Sequence, residues 1–150
     1  MRAPWLLVLA LLLPLAGAGK NIKTTVLDDG VDDNPGDGIC DTGSDRTNNV
    51  PNTDTDLEVG RCTLGAAIQE ANATPGPDRI LLRTGNLEYQ LTLAGPGEDA
   101  GATGDLDITS EIEILGKGYL HSMISAKKLK DRIFDVKPGG KLTLTSVALL

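Results

Sequence analysis

An acidic loop carries the residues whose spacing comes nearest to a metal site. Asp33, Asp37 and Asp41 recur at intervals of four, and a glycine follows Asp37. Calcium loops place carboxylates around a glycine turn in a similar way, so this spacing predicts a calcium site as one possibility for the loop. The third and twelfth positions of a helix–loop–helix site would fall on Pro35 and Ser44, which cannot supply the expected carboxylates. An irregular calcium site and a solvated loop of turns both stay open, and we favour the turns.

A second group of acidic residues could act on sugars. It comprises Glu98, Asp99, Asp105 and Asp107. Two carboxylates can share the acid and base roles of glycoside hydrolysis when they lie at a working distance. The sequence sets no such distance, and only three aromatic residues follow residue 18 to stack against a sugar. We therefore assign no catalytic residue, and we interpret the single histidine, His121, as structural or exposed.

The first 18 residues are typical of a secretory signal peptide. Arg2 precedes an apolar run from Trp5 to Leu15, and small residues occupy positions 16–18. A membrane-spanning helix needs about 20 apolar residues, which this run does not reach. The pattern predicts cleavage after Ala18, with no stable membrane span afterwards. We expect the protein to be secreted, extracellular or displayed at the cell surface.

The chain contains two cysteines, Cys40 and Cys62. In the oxidising compartment that a signal peptide implies, they are expected to pair, with two free thiols as the alternative. Closing a loop of this length contributes roughly 3 kcal/mol in the chain-entropy treatment. The bridge would fix an otherwise unrestrained loop, since residues 28–60 are dominated by turn-forming residues.

The charged residues are segregated along the chain. The formal net charge is −7, with ten acidic residues and one basic residue in 28–58. Residues 117–141 carry seven basic and two acidic residues. The acidic balance argues against a nucleic-acid partner. We interpret the basic segment as a solvated face.

A short helix is predicted between the acidic loop and the first strand. Thr63 can cap it, and apolar residues then recur at intervals of three and four up to Ala71. The helix should stop before Pro75, because the residue that precedes a proline favours extended geometry. A helix of about ten residues is not stable alone and must pack against an apolar surface.

Beyond residue 77 the apolar residues alternate with polar ones. Two alternating residues, a turn and two more alternating residues form a unit that occurs three times. The first arms of the units end at Leu82, Ile108 and Val136. A loose repeat of this length predicts a solenoid of short strands. A β-sandwich is the alternative, although the short hairpin loops of that fold do not separate these strands.

Several segments resemble one family. RCTLGAAIQEANATPGPDRILL resembles the CSLREA segment near the start of secreted and cell-surface bacterial β-helix proteins. NPGDGICDTG is similar to the cysteine-containing loop of that family, and LTLAGPGEDAGATGDLDITSEIEILGKG and ISAKKLKDRIFDVKPGGKLTLTSVAL resemble its rungs. The likeness covers nearly all of residues 26–149. It implies a right-handed parallel β-helix like that of pectin lyases and a cell-envelope location, with no assigned catalytic centre.

Two departures from the family pattern concern the helix and one turn. Residues 63–67 are TLGAA where the family has SLREA. Ala66 cannot supply the carboxylate of a capping box, and Gly65 lowers helix propensity by up to ~1 kcal/mol relative to alanine. Residues 126–130, AKKLK, replace a glycine-rich turn. These changes predict a weaker helix start and put any ligand shared at that turn in doubt.

Together these observations predict four segments. They are a signal peptide (1–18), an acidic, disulfide-closed loop (19–62), a capping helix (63–74) and the first β-helix rungs (75–150), with further rungs of the same protein expected. We expect a non-catalytic capping segment of a secreted or surface β-helix protein that binds an unidentified extracellular or envelope partner. One alternative is the start of a carbohydrate-active β-helix enzyme, a polysaccharide lyase or hydrolase with catalytic rungs beyond residue 150. Another is a small calcium-stabilised binding module, with calcium as the one cofactor considered.

Overall fold

The protein is mainly β, with parallel strands in small sheets and one helix. A computed structural model describes residues 17–43, 60–83, 85–95 and 101–150. Most of the predicted signal peptide lies outside these residues, as do Ser44, Glu98 and Asp99. Within the described residues, no helix has the length and apolar character needed to cross a bilayer.

Nine short strands and one helix follow one another along the described chain. In chain order they are β1 (Asn21–Lys23), α1 (Leu64–Ala73), β2 (Asp78–Leu81), β3 (Leu87–Gln90), β4 (Leu106–Ile108), β5 (Glu111–Leu115), β6 (Ser122–Ser125), β7 (Phe134–Val136), β8 (Lys141–Thr145) and β9 (Ala148–Leu149).

The strands form three ladders, and from β2 onward the chain visits them in a repeated cyclic order. The first ladder pairs β1, β2, β5 and β8, the second pairs β3, β6 and β9, and the third pairs β4 and β7. Each pairing between described strands is parallel. The sheets of a β-sandwich of the immunoglobulin type are antiparallel, so these ladders contradict the β-sandwich alternative.

Each ladder contributes at least one row of stacked apolar side chains to the core. Alternation along a strand sends every second side chain inward, and the parallel registers bring these side chains directly over one another. Three of these rows are Ile22–Ile80–Ile114–Leu144, Tyr89–Ile124–Leu149 and Ile108–Val136. Isoleucine and leucine supply most of this core, as the scarcity of aromatic residues predicts.

The predicted repeat is correct for its second and third units and wrong for its first. Ile108 pairs with Val136, 28 residues later, as the repeat requires. The arm that ends at Leu82 belongs to the first ladder, however, where Ile80 pairs with Ile114. The same alternation occurs in every ladder, so alternation alone cannot identify the ladder to which a strand belongs.

Helix α1 covers the beginning of the ladders. It packs against β1, β2, β4 and β5 through buried residues that include Leu64 and Ile68. Its bounds agree with the predicted segment, because Thr63 forms the N-cap and Thr74, which precedes Pro75, is extended.

Two residues determine how the start of α1 packs against the acidic loop. They are the N-cap Thr63 and Gly65, which has no side chain. Thr63 Oγ1 accepts the Ala66 N–H at 3.0 Å and donates to the Gly30 carbonyl at 2.6 Å. A Cβ on Gly65 would lie 2.8 Å from the same carbonyl oxygen. The glycine that lowers helix propensity therefore also permits the close approach of the acidic loop to the helix.

Candidate functional site

The buried carboxylate of Glu70 joins α1 to the acidic loop. Its Oε2 accepts the Gly36 N–H at 2.5 Å, and its Oε1 accepts the Gly38 N–H at 2.9 Å. Both glycines have positive φ angles, 96° and 89°, a conformation that side chains disfavour. The Lys20 ammonium lies 3.7 Å from Oε1 and partly offsets the negative charge. The loop backbone is thus shaped to bring two N–H groups to one buried carboxylate.

Gln69 makes a second connection between the helix and the loop. Its Oε1 accepts the Asp32 N–H at 2.7 Å. Asp32 in turn accepts the Asp41 N–H through Oδ1 at 2.9 Å, which folds the loop back on itself. These two hydrogen bonds hold the part of the acidic loop next to Cys40 against α1.

Asn72 connects the other end of α1 to the corner between β4 and β5. Its Nδ2 donates to the Asp107 carbonyl at 2.7 Å, and its Oδ1 accepts the N–H groups of Thr109 and Ser110 at 2.9 and 3.3 Å. We call Gln69, Glu70 and Asn72 the latch, because they fasten one helix to the loop before it and to the strands after it.

Asp78 closes the core beneath the end of α1. It occupies the inward position that Ile112 and Leu142 occupy in the following strands of the ladder. Its carboxylate accepts the Lys20 N–H at 2.8 Å and the Thr74 hydroxyl at 3.0 Å. A buried polar group with partners on both oxygens therefore terminates the apolar row at the helix end.

The sulfur atoms of Cys40 and Cys62 lie at bonding distance, as the predicted disulfide requires. Their Cα atoms lie 5.1 Å apart, and both side chains are fully buried. The bridge joins the acidic loop to the residue that precedes the N-cap Thr63. The loop is therefore attached to α1 covalently at its start and through the latch farther along.

The three predicted calcium ligands are not gathered around one point. Asp37 accepts the Ile39 N–H through Oδ1 at 2.8 Å, as expected of a turn residue. Asp41 accepts the Gly43 N–H through Oδ1 at 3.0 Å, and the Asp33 N–H donates to the Asp41 carbonyl at 2.7 Å. In the described part of the chain, only a different trio of acidic residues has ligand atoms within 4.8 Å of one another. The calcium site at Asp33, Asp37 and Asp41 stays a prediction.

Asp32 is the acidic residue of this loop with the most unusual environment. It is 6 % exposed, and its Oδ2 is buried without a hydrogen-bond partner. Burial is the main cause that raises the pKa of Asp32 to about 6, and the negative charges of Glu70 and Asp37 act in the same direction. The hydrogen bond from the Asp41 N–H opposes them without cancelling the effect of burial. The loop therefore holds a carboxyl group that keeps its proton to a higher pH than a free aspartate does.

The carboxylates that do converge lie on the third ladder. Asp105, Asp107 and Asp135 place one oxygen each within 4.8 Å of one another, on paired strands β4 and β7 or just before β4. Lys137 Nζ lies 2.9 Å from Asp107 Oδ1 and 2.7 Å from Asp135 Oδ2. We call the three aspartates the carboxylate cluster. The ammonium of Lys137 lies where a bound cation would otherwise neutralise Asp107 and Asp135.

Two cationic side chains, Arg132 and Lys137, lie beside the cluster. Arg132 Nε donates to Asp105 at 2.7 Å, and this bond raises the pKa of Arg132. The hydrogen bond from Lys137, with the charge of Arg132, holds the pKa of Asp135 below its usual range. A general acid needs a carboxyl group that keeps its proton near neutral pH, which Asp135 does not provide.

The sequence indicated Asp105 and Asp107 as candidates but did not indicate Asp135, which completes the cluster. A usable signal was present, because the register that aligns Ile108 with Val136 also aligns Asp107 with Asp135. The buried role of Glu70 was also missed. No local signal could have found it, because the backbone groups that bind Glu70 lie more than 30 residues earlier in the chain.

His121 does not join either group. His121 Nδ1 contacts Asn86 Oδ1 at the surface, in agreement with a structural or exposed histidine.

Comparison with known proteins gave no match, whether with family models, with curated proteins or with solved structures. The resemblance to CSLREA proteins therefore stays an expectation from the sequence.

Proposed function

We propose that this chain forms the capped beginning of a right-handed parallel β-helix. The support is the cyclic order in which parallel strands of three ladders follow one another. One circuit through the three ladders is a coil of such a helix. Crossovers between parallel strands of one sheet are right-handed in about 98% of cases, which supports the proposed hand.

The observation that carries this proposal is a difference between the two ends of the core. At the helix end of the first row, Ile22, Ile80 and Ile114 are fully buried, whereas Leu144 in the same row is 36 % exposed. Val136 and Leu149 end the other two rows and are 48 % and 46 % exposed. A solenoid with one end covered by a polar cap has this distribution of burial.

In this proposal α1, the latch and the disulfide-closed acidic loop together have a structural role, and we call them the capping unit. Helix α1 covers the apolar interior of the first coil, and the latch and the disulfide hold the acidic loop over the helix. An uncovered first coil would offer strand edges and apolar surface to other chains. The unit would thus let a secreted or surface-displayed β-helix begin without aggregating, while the outward faces of its coils bind extracellular or envelope partners.

The enzyme alternative receives little support from the carboxylate cluster. Each of its aspartates lies beside Arg132 or Lys137, and the pKa of Asp135 is lowered by these cations. Glycoside hydrolysis would need one carboxyl group with a raised pKa next to one that is ionised. The cluster fits an ion-pair network between two coils better than an acid–base pair.

Replacing Asn72 with alanine tests the capping task. The variant loses the side-chain bonds to the β4–β5 corner, and we expect about 2 kcal/mol less stability and faster amide exchange in β2 and β4. Asn86→Ala is the control, because Asn86 is an exposed asparagine outside the latch. Equal behaviour of the two variants would count against the latch.

Export provides a separate test of the proposed location. When the whole chain is produced in a secreting bacterial host, we expect exported material that begins at Gly19. We also expect a peptide in which Cys40 is linked to Cys62, and no thiol that reacts with an alkylating reagent. Mass mapping under non-reducing conditions checks both points. Full-length protein retained inside the cells would contradict the proposed location.

A further inference from the structure

Asp78 is a buried carboxylate whose partners carry no charge. It is 1 % exposed, and it accepts hydrogen bonds from the Lys20 backbone N–H at 2.8 Å and from the Thr74 hydroxyl at 3.0 Å. Within the described ranges, no lysine or arginine side chain forms an ion pair with it. Because burial penalises an isolated charge, a cation close to Asp78 would stabilise this carboxylate.

Lys20 and Arg79, the basic residues next to this contact, pair with other carboxylates. The Lys20 ammonium lies 3.7 Å from Glu70 Oε1, and Arg79 Nε donates to Glu113 Oε2 at 3.1 Å. Lys20 therefore gives Asp78 its backbone N–H, while its charge acts on the latch. Neither basic side chain offers its charge to Asp78.

The backbone just before β1 is held against the residues that lead into β2. The Arg79 N–H donates to the Lys20 carbonyl at 2.8 Å. A Cβ on Gly19 would lie only 1.9 Å from the Pro77 carbonyl oxygen, so any other residue at position 19 would clash. This close approach determines where the Gly19 nitrogen lies relative to β2.

The Gly19 nitrogen lies close to the Asp78 carboxylate. The Lys20 nitrogen is 2.8 Å from Asp78 Oδ1, and consecutive backbone nitrogens are at most about 3.7 Å apart. The Gly19 nitrogen is therefore within about 6.5 Å of Asp78 Oδ1, near the range in which opposite charges act on each other. Gly19 is exposed, so a charge on its nitrogen would keep part of its hydration while it approaches Asp78.

We infer that cleavage after Ala18 gives Asp78 its counter-charge, because the new α-ammonium group of Gly19 pairs with this carboxylate and fastens β1 beneath the capping unit. The inference rests on the proposed export of the chain. A signal peptidase adds water across the Ala18–Gly19 amide, so Ala18 leaves as a carboxylate and the Gly19 nitrogen becomes an ammonium group near neutral pH. In the uncleaved precursor the same nitrogen is a neutral amide. The processed chain is therefore more stable at its capped end than the precursor.

The experiment compares two chains that differ only in their first residues. One begins at Gly19, and the other keeps Gly17 and Ala18, which moves the ammonium group two residues away from Asp78. Both are released from a fusion by a protease site placed before the first residue, so neither depends on export. We expect the unfolding equilibrium constant in urea to be about tenfold smaller for the chain that begins at Gly19.

A substitution at Asp78 identifies the partner of the ammonium group. Asp78→Asn removes the negative charge, so the two starting points should then differ little in stability. Any packing by the two extra residues is present in both backgrounds and cancels in this comparison. Glu111→Gln, which removes an exposed carboxylate of the same ladder, is the matched control and should keep the tenfold difference.

Two results would overturn the inference. One is equal stability of the two unsubstituted chains, and the other is a difference that persists unchanged in Asp78→Asn. If Asp78→Asn fails to fold, acetylation of the Gly19 α-amine decides, because it removes the charge without adding a residue. Loss of the tenfold advantage supports the ion pair, and unchanged stability contradicts it. An exported protein with a different first residue would instead count against the proposed cleavage and location.

Discussion

Replacing Glu70 with alanine is expected to lower the free energy of unfolding by roughly 4 kcal/mol, because two charge-assisted hydrogen bonds are lost together. The N–H groups of Gly36 and Gly38 would lose their common acceptor, and Lys20 would lose its buried counter-charge. Equilibrium unfolding in urea measures the loss. Limited proteolysis should then cut the acidic loop near residues 36–38 sooner than in the wild type.

Two further variants separate this effect from a general loss of charge. Glu70→Gln keeps one acceptor oxygen, so its loss should be about half that of Glu70→Ala. Glu111→Ala removes an exposed glutamate whose pair with Lys141 is screened by solvent, and it should cost much less. If Glu70→Ala behaved like Glu111→Ala, Glu70 would not be the residue that holds the loop.

Replacing Asp32 with asparagine is expected to remove a specific pH dependence of stability. The folded state raises the pKa of Asp32 from 3.8 to about 6, so the folded chain binds this proton more tightly than the unfolded chain. Stability associated with Asp32 is therefore greatest below pH 4 and falls as the pH rises to about 6. The total change is roughly 2 to 3 kcal/mol. An asparagine side chain at this position would be neutral throughout and could still accept the Asp41 N–H.

The measurement is the difference in unfolding free energy between Asp32→Asn and the wild type, in the presence of a chelator. We expect the two proteins to be nearly equal at pH 4 and the variant to be more stable at pH 7. Asp131→Asn, at an exposed position, should follow the wild type over the same range. A constant difference between pH 4 and pH 7 would show that Asp32 titrates normally. Repeating the experiment with calcium tests the predicted calcium site in the same loop.

Local signals in the sequence were sufficient to predict the helix and much of the strand pattern. Thr63 and Pro75 define α1 because capping and the restriction before proline act within a few residues. The predicted interval between Ile108 and Val136 is correct because both residues lie on the third ladder, on paired strands. The first unit was misassigned because the chain visits three ladders in turn, and the sequence pattern does not distinguish one ladder from another.

The buried acidic residues could not have been predicted in the same way. Glu70 is stable in the core only because the backbone of residues 36–38, more than 30 residues earlier, supplies its hydrogen bonds. From composition alone, a glutamate on a short helix is expected to face solvent. The Asp107–Asp135 pair could be predicted from the register, but the position of Lys137 beside both carboxylates depends on how the paired strands pack. Long-range contacts, rather than local propensity, determine these features.

The central claim is that the core is covered at the helix end and open at the other end. Native-state hydrogen exchange along the first ladder tests it most directly, because Ile80, Ile114 and Leu144 occupy equivalent inward positions in successive strands. We expect slow exchange, limited by global unfolding, at Ile80 and Ile114, and exchange at least about 100-fold faster at Leu144. Equal protection along the ladder, or the strongest protection at Leu144, would contradict the account.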